Sequence, residues 1–384
     1  MLSTILTLVI AFLSLIALMI IHEFGHFIIA KKFGVKVEEF GVGYPPRIIG
    51  KKFGDTIYSI NWIPLGAFVR IYGEEGGLDD YRSFSSLAIW KRVLIVIGGV
   101  AAFWLASIII FSVVFGIGAD IPVGDQDLQG LTNARVIIVS VSYNSPAEKA
   151  GLKAGDVLLG AKSNKYESAN AGTEETKIDK VKDIQDFSKS HASEQIKLSI
   201  KRGDKTLEVS LSPRAEYPEG EGSIGVGLER MATLIQKYPW YQAPIQGTIY
   251  CWDITVKSAQ GLYDVFKNIF SGKGVPQGAE LAGPLGITIF LARAVDYGVG
   301  FFLYFIGSIS VFIAIFNLFP IPALDGGKLL FLLIEKIKGR PVSAKTEQTI
   351  TAIFFFLLIA MSIFVTIKFD IPRFTEFLKS SLQK

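Results

Sequence analysis

The chain has 384 residues, of which half are apolar and only 19% are charged, with a formal net charge of +4. Soluble domains carry about 25% charged residues, so this composition excludes an ordinary soluble protein and predicts that part of the chain lies in lipid. The Lys and Arg residues gather beside apolar runs rather than in a basic stripe, so no nucleic-acid partner is expected. Cys251 is the only cysteine, which excludes an internal disulfide and a four-cysteine metal site.

Four stretches are apolar enough to cross a bilayer core, which needs ~20 apolar residues. They cover residues 5–30, 93–118, 299–324 and 349–367. One long polar stretch, about 120–240, separates the second span from the third. The predicted fold class is therefore an α-helical membrane protein with four transmembrane helices and one inserted domain.

Basic residues indicate how the spans are oriented. They are dense in residues 31–92 and recur between the third and fourth spans at Lys336, Lys338, Arg340 and Lys345. Cytoplasmic loops carry an excess of Lys and Arg, so both loops are expected in the cytoplasm. The N-terminus, the inserted domain and the C-terminus are then expected outside.

The motif His22-Glu23-Phe24-Gly25-His26 lies near the end of the first span. Residues four apart on a helix differ by only about 40° in direction, so His22 and His26 direct two imidazoles at one point. Imidazole is a good zinc ligand, and Glu23 is suited to take a proton from zinc-bound water. The alternative is a chance match whose polar groups are satisfied by hydrogen bonds. Ionisable groups at membrane depth are costly and usually functional, which favours the zinc site.

A third zinc ligand has to be a carboxylate or His191 of the polar insert, the only other histidine. The run Asn317-Leu-Phe-Pro-Ile-Pro-Ala-Leu-Asp325-Gly-Gly-Lys328 interrupts the third span. Non-helical backbone at membrane depth occurs where protein buries it or where it lines a cavity. Asp325 is therefore the favoured third ligand. Its alternative role is the N-cap of the helix predicted at Lys328–Ile337.

Together these motifs resemble the site-2 proteases, whose pattern is HExxH in the first span and N-x-x-P-x-P-A-L-D-G-G in a late span. Ala282-Gly-Pro-Leu-Gly-Ile287 and Glu335…Gly339-Arg-Pro-Val-Ser343 match two further elements of that family. The order and spacing are similar to those of the members that act in the bacterial envelope-stress (sigma-E) pathway. The resemblance covers nearly the whole chain.

The resemblance implies a zinc-dependent intramembrane endopeptidase with Zn2+ as its cofactor. The residues that it implies are His22, His26 and Asp325 as metal ligands, Glu23 as catalytic base and Asn317 as a substrate-contacting residue. The expected partners are the lipid bilayer and single-span membrane proteins already trimmed by another protease, such as an anti-sigma factor or signal-peptide remnants. The expected location is the bacterial inner membrane, with the active site toward the cytoplasm.

The chain departs from the family pattern at three positions. Lys328 stands where many relatives have His, and the metal is not expected to need it. In Gly98-Gly-Val-Ala-Ala102 the family usually reads G-P-x-x-N, so Gly99 replaces the proline and Ala102 replaces the asparagine. Asparagine is not a zinc ligand in the family pattern. The replacement of that asparagine by Ala102 should therefore leave metal binding intact and weaken the handling of substrate.

Two segments outside the spans are predicted to handle substrate. Residues 35–72 are rich in β-branched and aromatic residues broken by Gly and Pro, which predicts a membrane-associated β-region. An edge of that sheet would pair with an extended substrate, unless the region only shields the site. Ser145-Pro-Ala-Glu-Lys-Ala-Gly-Leu-Lys-Ala-Gly-Asp156 resembles a PDZ domain, about residues 133–214. Such a domain would vet substrates or, alternatively, act as a passive spacer.

Apolar residues recur with helical period between Ile245 and Phe270, which predicts an amphipathic helix that lies in the membrane interface or packs against the core. The predicted order is a first span (1–34), a β-region (35–87), a second span (88–119), the PDZ domain (120–215), a linker with the amphipathic helix (216–298), a third span (299–338), a loop (339–348) and a fourth span with a tail (349–384).

Two other functions are compatible with the sequence. One is a membrane-anchored zinc peptidase that acts outside the lipid, which would need HExxH on a water-facing helix and a downstream Glu ligand. The other is a catalytically weakened binding protein that relies on its PDZ domain. Cleavage of a membrane-helix reporter distinguishes both from an intramembrane protease.

Overall fold

A computed structural model describes most of the chain. The described residues are 2–74, 80–123, 131–142, 144–153, 155–163, 175–202, 205–218, 222–272, 281–296 and 298–382. The chain forms two compact units: a helical unit of Met1–Ile117, Lys237–Gly261 and Leu281–Lys384, and a sheet unit of Gly118–Gln236 and Leu262–Glu280.

Helices dominate the helical unit, together with one pair of long strands. In chain order the elements are α1 (Leu2–Lys32), β1 (Val37–Phe53), β2 (Thr56–Ile71), α2 (Ile89–Ile117), α5 (Ala243–Phe270, which continues into the sheet unit), α6 (Pro284–Asp296), α7 (Val299–Asn317), α8 (Asp325–Lys338), α9 (Ala344–Val365) and α10 (Ile371–Leu382). Within the described residues, four helical stretches are long and apolar enough to cross a membrane: Thr4–Lys32, Ile89–Ile117, Val299–Asn317 and Ala344–Thr375. They correspond to the four predicted spans.

The third span is shorter than predicted. Helix α7 ends at Asn317 rather than continuing to 324, because Pro320 and Pro322 have no N–H group for a helical hydrogen bond. Helix α8 then begins at Asp325, with Leu324 at its N-cap. The alternative role of Asp325 as an N-cap is therefore wrong.

Two glycines let the start of α8 pack against the segment between the helices. A Cβ on Gly326 would lie 2.1 Å from the Phe319 carbonyl oxygen, and a Cβ on Gly327 would lie 2.4 Å from that of Ile321. Both distances are far below van der Waals contact, and backbone cannot move aside cheaply. The Gly-Gly pair therefore fixes where Asp325 lies.

Helices α1 and α2 cross in direct backbone contact. A Cβ on Gly25 would lie 2.2 Å from the Gly98 carbonyl oxygen, and a Cβ on Gly98 would lie 2.9 Å from that of Gly25. Small residues at membrane helix crossings permit this close approach. The crossing occurs inside the HExxH motif, so it sets the distance from the motif to α2.

Strands β1 and β2 confirm the predicted strands at 35–72. The first half of β1 pairs with both halves of β2, since Gly41 is paired with Phe68 and also with Ser59. In the described part of the chain, the last stretch of β2, residues 67–71, pairs on one side only, with β1. Its other side faces α1.

The sheet unit contains a seven-stranded sheet in the order β3-β9-β4-β5-β7-β8, with β6 paired to β5. Its elements are β3 (Ala119–Val123), β4 (Leu131–Val141), α3 (Pro146–Lys149), β5 (Val157–Ser163), β6 (Thr176–Lys177), α4 (Val181–Ser190), β7 (Ile196–Arg202), β8 (Lys205–Leu211) and β9 (Val226–Gln236). Fully buried aliphatic side chains form its core, among them Ile138, Leu158, Ile184, Ile196, Leu198 and Ile200.

The segment predicted as a PDZ domain, residues 133–214, contributes β4, α3, β5, β6, α4, β7 and β8 to the sheet unit. The predicted boundary at 215 is wrong, because β9 pairs with both β3 and β4 and extends the sheet to Gln236. A strand that pairs with residues about 90 positions earlier in the chain gives little local signal, so the sequence alone predicts a linker here.

Helix α5 confirms the predicted amphipathic helix. Within the helical unit it packs against α2: Cys251 is buried, and a Cβ on Gly247 would lie 2.6 Å from Ser112 Oγ. Ile249 and Trp252 are exposed on another face. One face therefore packs against the core, as the second alternative predicted.

Candidate metal centre

Two helices bring three donor atoms to one point. His22 and His26 lie one turn apart on α1, and their Nε2 atoms are 3.3 Å from each other. Asp325, the first residue of α8, places Oδ2 3.5 Å from His22 Nε2 and 3.4 Å from His26 Nε2. All three side chains are at least 84% buried. The sequence-predicted ligand set is therefore assembled in space.

These donor atoms fit a zinc ion. Zinc is held by imidazole nitrogen and carboxylate oxygen at about 2.0–2.2 Å in tetrahedral geometry, which places neighbouring ligand atoms about 3.3 Å apart. The three observed separations lie within a few tenths of an ångström of that value. Asp325 Oδ2 is buried and has no hydrogen bond within the described residues. Buried polar atoms are normally satisfied, so this oxygen is suited to bind a cation.

Helix α2 orients both imidazoles. The His26 Nδ1 atom lies 2.9 Å from the Ile95 carbonyl oxygen, and the His22 ring stacks on Phe103 with centroids 4.6 Å apart at 19°. A zinc-ligating histidine typically donates its second ring N–H to a carbonyl or carboxylate, which fixes the tautomer and the ring direction. His26 thus keeps Nε2, its other ring nitrogen, available as the atom that would bind the metal.

Glu23 lies on the flank of α1 that faces the β-region. Its Oε2 accepts a hydrogen bond from the Val69 backbone N–H at 3.0 Å. Val69 belongs to the stretch of β2 that pairs with β1 on one side only. The predicted catalytic base therefore directly contacts the side of β2 that pairs with no strand in the described residues.

Asn317 and Ala102 lie on two different helices. Asn317 donates its side-chain amide to the Ile313 carbonyl at 3.1 Å, within its own helix, and its substrate contact stays a prediction. Ala102 faces the HExxH helix, with its Cβ 2.8 Å from where a Cβ on Gly25 would lie. The departure that adjoins the candidate metal ligands is instead Gly99, where an added Cβ would lie 2.3 Å from His26 Nε2.

Two ion pairs that the sequence did not predict hold α8. Arg92 of α2 binds both carboxylate oxygens of Glu335, one of them at 2.9 Å, and both side chains are largely buried. Lys328 pairs with Glu74, just beyond β2. Glu335 belongs to a motif already matched to the family pattern, but its partner is 243 residues away. Only the fold could reveal that pairing.

Most of the chain is similar to proteins named as zinc metalloproteases. The model of peptidase family M50 matches residues 10–361. A protein of Clostridium acetobutylicum named as a zinc metalloprotease is 32% identical over 94% of this chain and 96% of that protein. Zinc metalloprotease RasP of Geobacillus kaustophilus is 25% identical over 93% of this chain and 96% of that protein.

Among solved structures, the PDZ domain of an SdrC-like protein from Listeria monocytogenes matches 25% of this chain and 90% of that chain. The identity is 23% and the TM-score is 0.20. The strand order of the sheet unit therefore rests on its own hydrogen-bond register.

Proposed function

The chain belongs to peptidase family M50, the site-2 proteases, and we propose that it cleaves transmembrane segments of other membrane proteins within the bilayer. Its family and the names of its relatives support a zinc metalloprotease. The observation that carries the proposal is the triangle of His22 Nε2, His26 Nε2 and Asp325 Oδ2, with sides of 3.3–3.5 Å. Both histidines lie on α1, a helix apolar enough to span a membrane, and Asp325 begins α8.

His22, His26 and Asp325 would hold the zinc ion. When bound, zinc supplies a Lewis acid that polarises the scissile carbonyl and lowers the pKa of water toward ~7. Glu23 takes a proton from the attacking water while the oxygen of that water bonds to the carbonyl carbon of the scissile peptide bond. It then delivers that proton to the peptide nitrogen as the C–N bond breaks, which releases an amine and a carboxylic acid.

An extended segment of the substrate would bind along residues 67–71 of β2. This stretch carries the Val69 N–H that now contacts Glu23, so a strand paired there would run past the catalytic carboxylate. Strand addition holds a peptide by main-chain hydrogen bonds and straightens a helix that would otherwise hide its peptide bonds. The β-region is then part of the active site rather than a shield.

The two competing functions have less support. A peptidase that acts outside the lipid would need its motif on a water-facing helix, whereas α1 exposes large apolar side chains such as Ile5, Leu6 and Leu13. A non-catalytic binding protein would have no need for three converging buried donors. Ala102 is not one of those donors, so its alanine gives no reason to expect loss of the metal.

The test separates metal binding from cleavage, using the full-length protein in proteoliposomes with a membrane-helix reporter. Glu23→Gln should bind zinc and fail to cleave, because the ligands remain and the proton carrier is lost. His22→Ala, His26→Ala and Asp325→Ala should lose both properties. His191→Ala is the control. It removes the third histidine of the chain, which lies outside the motif, and it should retain both zinc binding and cleavage.

Zinc-dependent turnover that persists in Glu23→Gln or in any of the three ligand variants would overturn the proposed mechanism. Zinc binding without reporter cleavage in the wild-type protein would instead favour the binding-protein alternative.

We place the protein in the bacterial inner membrane with residues 31–90 and 336–347 in the cytoplasm and the sheet unit outside. The support is the basic composition of both loops. Single cysteines introduced by Lys51→Cys, Lys345→Cys and Lys189→Cys in a Cys251→Ser background test this arrangement. An impermeant thiol reagent added outside should label only Lys189→Cys, and labelling of Lys51→Cys from outside would refute the orientation.

The sheet unit would vet substrates through a groove. Residues of α4, of β9 and of the segment that leads into β9 line a cavity of about 440 Å³, including Ile184, Ser188, Ile224, Val226 and Leu228. Apolar grooves beside a strand suit an extended segment or a chain end. The groove is the feature that distinguishes a filter from a passive spacer.

Removing residues 119–236, which contain the seven-stranded sheet, tests this role. The Tyr238 N–H donates to the Phe115 carbonyl at 2.9 Å, so the chain leaves and re-enters the helical unit at adjacent points. A short Gly-Ser linker in place of residues 119–236 should keep zinc-dependent cleavage and widen the range of reporters cut. A folded deletion that retains zinc but cleaves no reporter would show that the unit builds the site.

A further inference from the structure

One face of α2 contacts both metal-ligating imidazoles. Ile95, Gly99 and Phe103 are spaced four residues apart and so lie on the same side of the helix. Ile95 contacts His26 through its carbonyl oxygen, Phe103 stacks on His22, and Gly99 lies between these two contacts. We call these three residues the imidazole seat.

Gly99 is the part of the seat that no other amino acid can replace without movement. A Cβ at this position would lie 2.3 Å from His26 Nε2, 2.5 Å from His26 Cε1 and 2.7 Å from His22 Cε1. Carbon and nitrogen atoms do not approach so closely without a bond. Any side chain at residue 99 therefore displaces both rings or the helix itself.

The helix is not free to move away. One residue earlier, Gly98 is in backbone contact with Gly25 of α1, and Ser107 further along α2 donates to the Gly307 carbonyl of α7 at 3.1 Å. The rings are less constrained, because an imidazole turns about two single bonds. A methyl group at residue 99 would therefore turn His26 away from Asp325 and weaken its contact with Ile95.

We propose that Gly99 is a positioning residue for the metal centre, acting by leaving room for both imidazoles to turn toward Asp325. The proposal rests on the proposed zinc site.

The experiment compares Gly99→Ala with Gly116→Ala in the full-length protein in detergent. Both make the same change on α2, but a Cβ on Gly116 meets only Ala243, at an ordinary contact distance of 3.8 Å. Zinc affinity is measured by competition with a chelator, and ligand geometry is measured by the visible spectrum of the Co(II)-loaded protein. Gly99→Ala should bind zinc ~10–100-fold more weakly, the range seen when a group that orients a ligand is lost. Its Co(II) spectrum should change, and Gly116→Ala should match wild type in both measurements.

Thermal unfolding of the zinc-free proteins separates positioning from folding. Alanine favours helix over glycine, and without metal the imidazoles are free to turn, so both variants should unfold at or above the wild-type temperature. Loss of the fold in Gly99→Ala alone would overturn the proposal, because the methyl group would then be disrupting helix packing. Wild-type zinc affinity in Gly99→Ala would also overturn it. A wild-type protein that binds no zinc would instead overturn the proposed function.

Discussion

The helical unit around the metal centre and the sheet unit are specified by different kinds of residue. The sheet unit buries large aliphatic side chains, with Leu198 and Ile200 at most 1% exposed. The crossing of α1 and α2 instead brings glycine backbones together, while α1 turns large side chains such as Leu6 and Leu13 outward. In lipid, apolar side chains gain little by leaving their surroundings, so close packing and polar pairs decide how helices associate. In water, burial of apolar area decides.

The same difference explains how each unit uses its charged groups. In the helical unit, the buried Arg92–Glu335 pair joins α2 to α8, the helix that begins with the candidate metal ligand Asp325. In the sheet unit, Asp156 and Arg202 join a turn to a strand beside an aliphatic core that is already complete. Charge pairs should therefore contribute more to the stability of the helical unit, and the volume of buried side chains should contribute more to the stability of the sheet unit.

The largest effect is expected from Glu335→Ala. Removal of one partner leaves the Arg92 guanidinium, whose side chain is only 10% exposed, without its compensating charge. Breaking a buried pair in this way costs ~3–5 kcal/mol. We expect a loss of that size in the free energy of unfolding of the helical unit, measured by denaturant titration in detergent.

The double variant Arg92→Met/Glu335→Met is the control. Replacing both charges by apolar groups of similar length is often close to neutral, so it should recover most of the stability. If the double variant is as unstable as the single one, the pair contributes a specific geometry that apolar packing does not replace.

A cavity in the aliphatic core should have the next largest effect. Ile200→Ala removes three buried carbon atoms from β7, at a cost of ~2–5 kcal/mol in the unfolding of the sheet unit. Leu159→Ala is the matched control, because Leu159 is 39% exposed on the neighbouring strand β5. Zinc affinity should be unchanged in both variants. A smaller effect for Ile200→Ala than for Leu159→Ala would contradict the assignment of the core.

The Asp156–Arg202 pair should make the stability of the sheet unit depend on pH. Burial alone would raise the pKa of Asp156, but hydrogen bonds from Arg202 at 2.7 Å and from the Lys153 N–H at 2.9 Å hold it below its ordinary value. The stabilisation is therefore complete above the unfolded pKa of about 3.9 and is lost as pH falls through the lower folded value.

Asp156→Asn measures this contribution. At pH 7 it should destabilise the sheet unit by ~1.5–3 kcal/mol, the range for hydrogen bonds to a charged group. The difference from wild type should shrink as the pH is lowered from 6 toward 3, followed by circular dichroism of the full-length protein. A difference that stays constant over this range would mean that the carboxylate charge is not what stabilises the turn.

The sequence predicted the residues of the candidate metal site, because metal binding requires particular residue types. His22 and His26 follow a fixed helical spacing, and Asp325 follows a proline-broken span, so each could be recognised without knowing its neighbours. The amphipathic pattern of α5 was predicted for the same reason, because a helical period is a local property. Local patterns thus gave the donors of the candidate site.

The features that depend on contacts across the chain were missed. The sequence showed Gly99 only as a replacement for the proline of the family pattern, and the fold shows that a Cβ at this position would meet both imidazoles. Arg92 and Glu335 are 243 residues apart, and β9 finds its partner β4 about 90 residues earlier. No periodicity records such pairings, because each residue satisfies its own helix or strand pattern equally well with or without its partner.

The smallest effect on the metal centre is expected from Ala102→Asn, which restores the residue of the family pattern. Ala102 faces Gly25 of α1 but is not one of the three seat residues, so zinc affinity should not change. An asparagine here gains a hydrogen bond to a neighbouring helix, to the β-region or to substrate, worth ~0.6 kcal/mol on average between membrane helices. Cleavage of a membrane-helix reporter should therefore be kept or increased.

Ala101→Asn is the matched control. Ala101 is exposed on the same helix, so this substitution should leave both zinc affinity and reporter cleavage unchanged. Loss of zinc binding in Ala102→Asn alone would mean that the seat extends to residue 102 and that the ligands tolerate no larger side chain at the helix crossing.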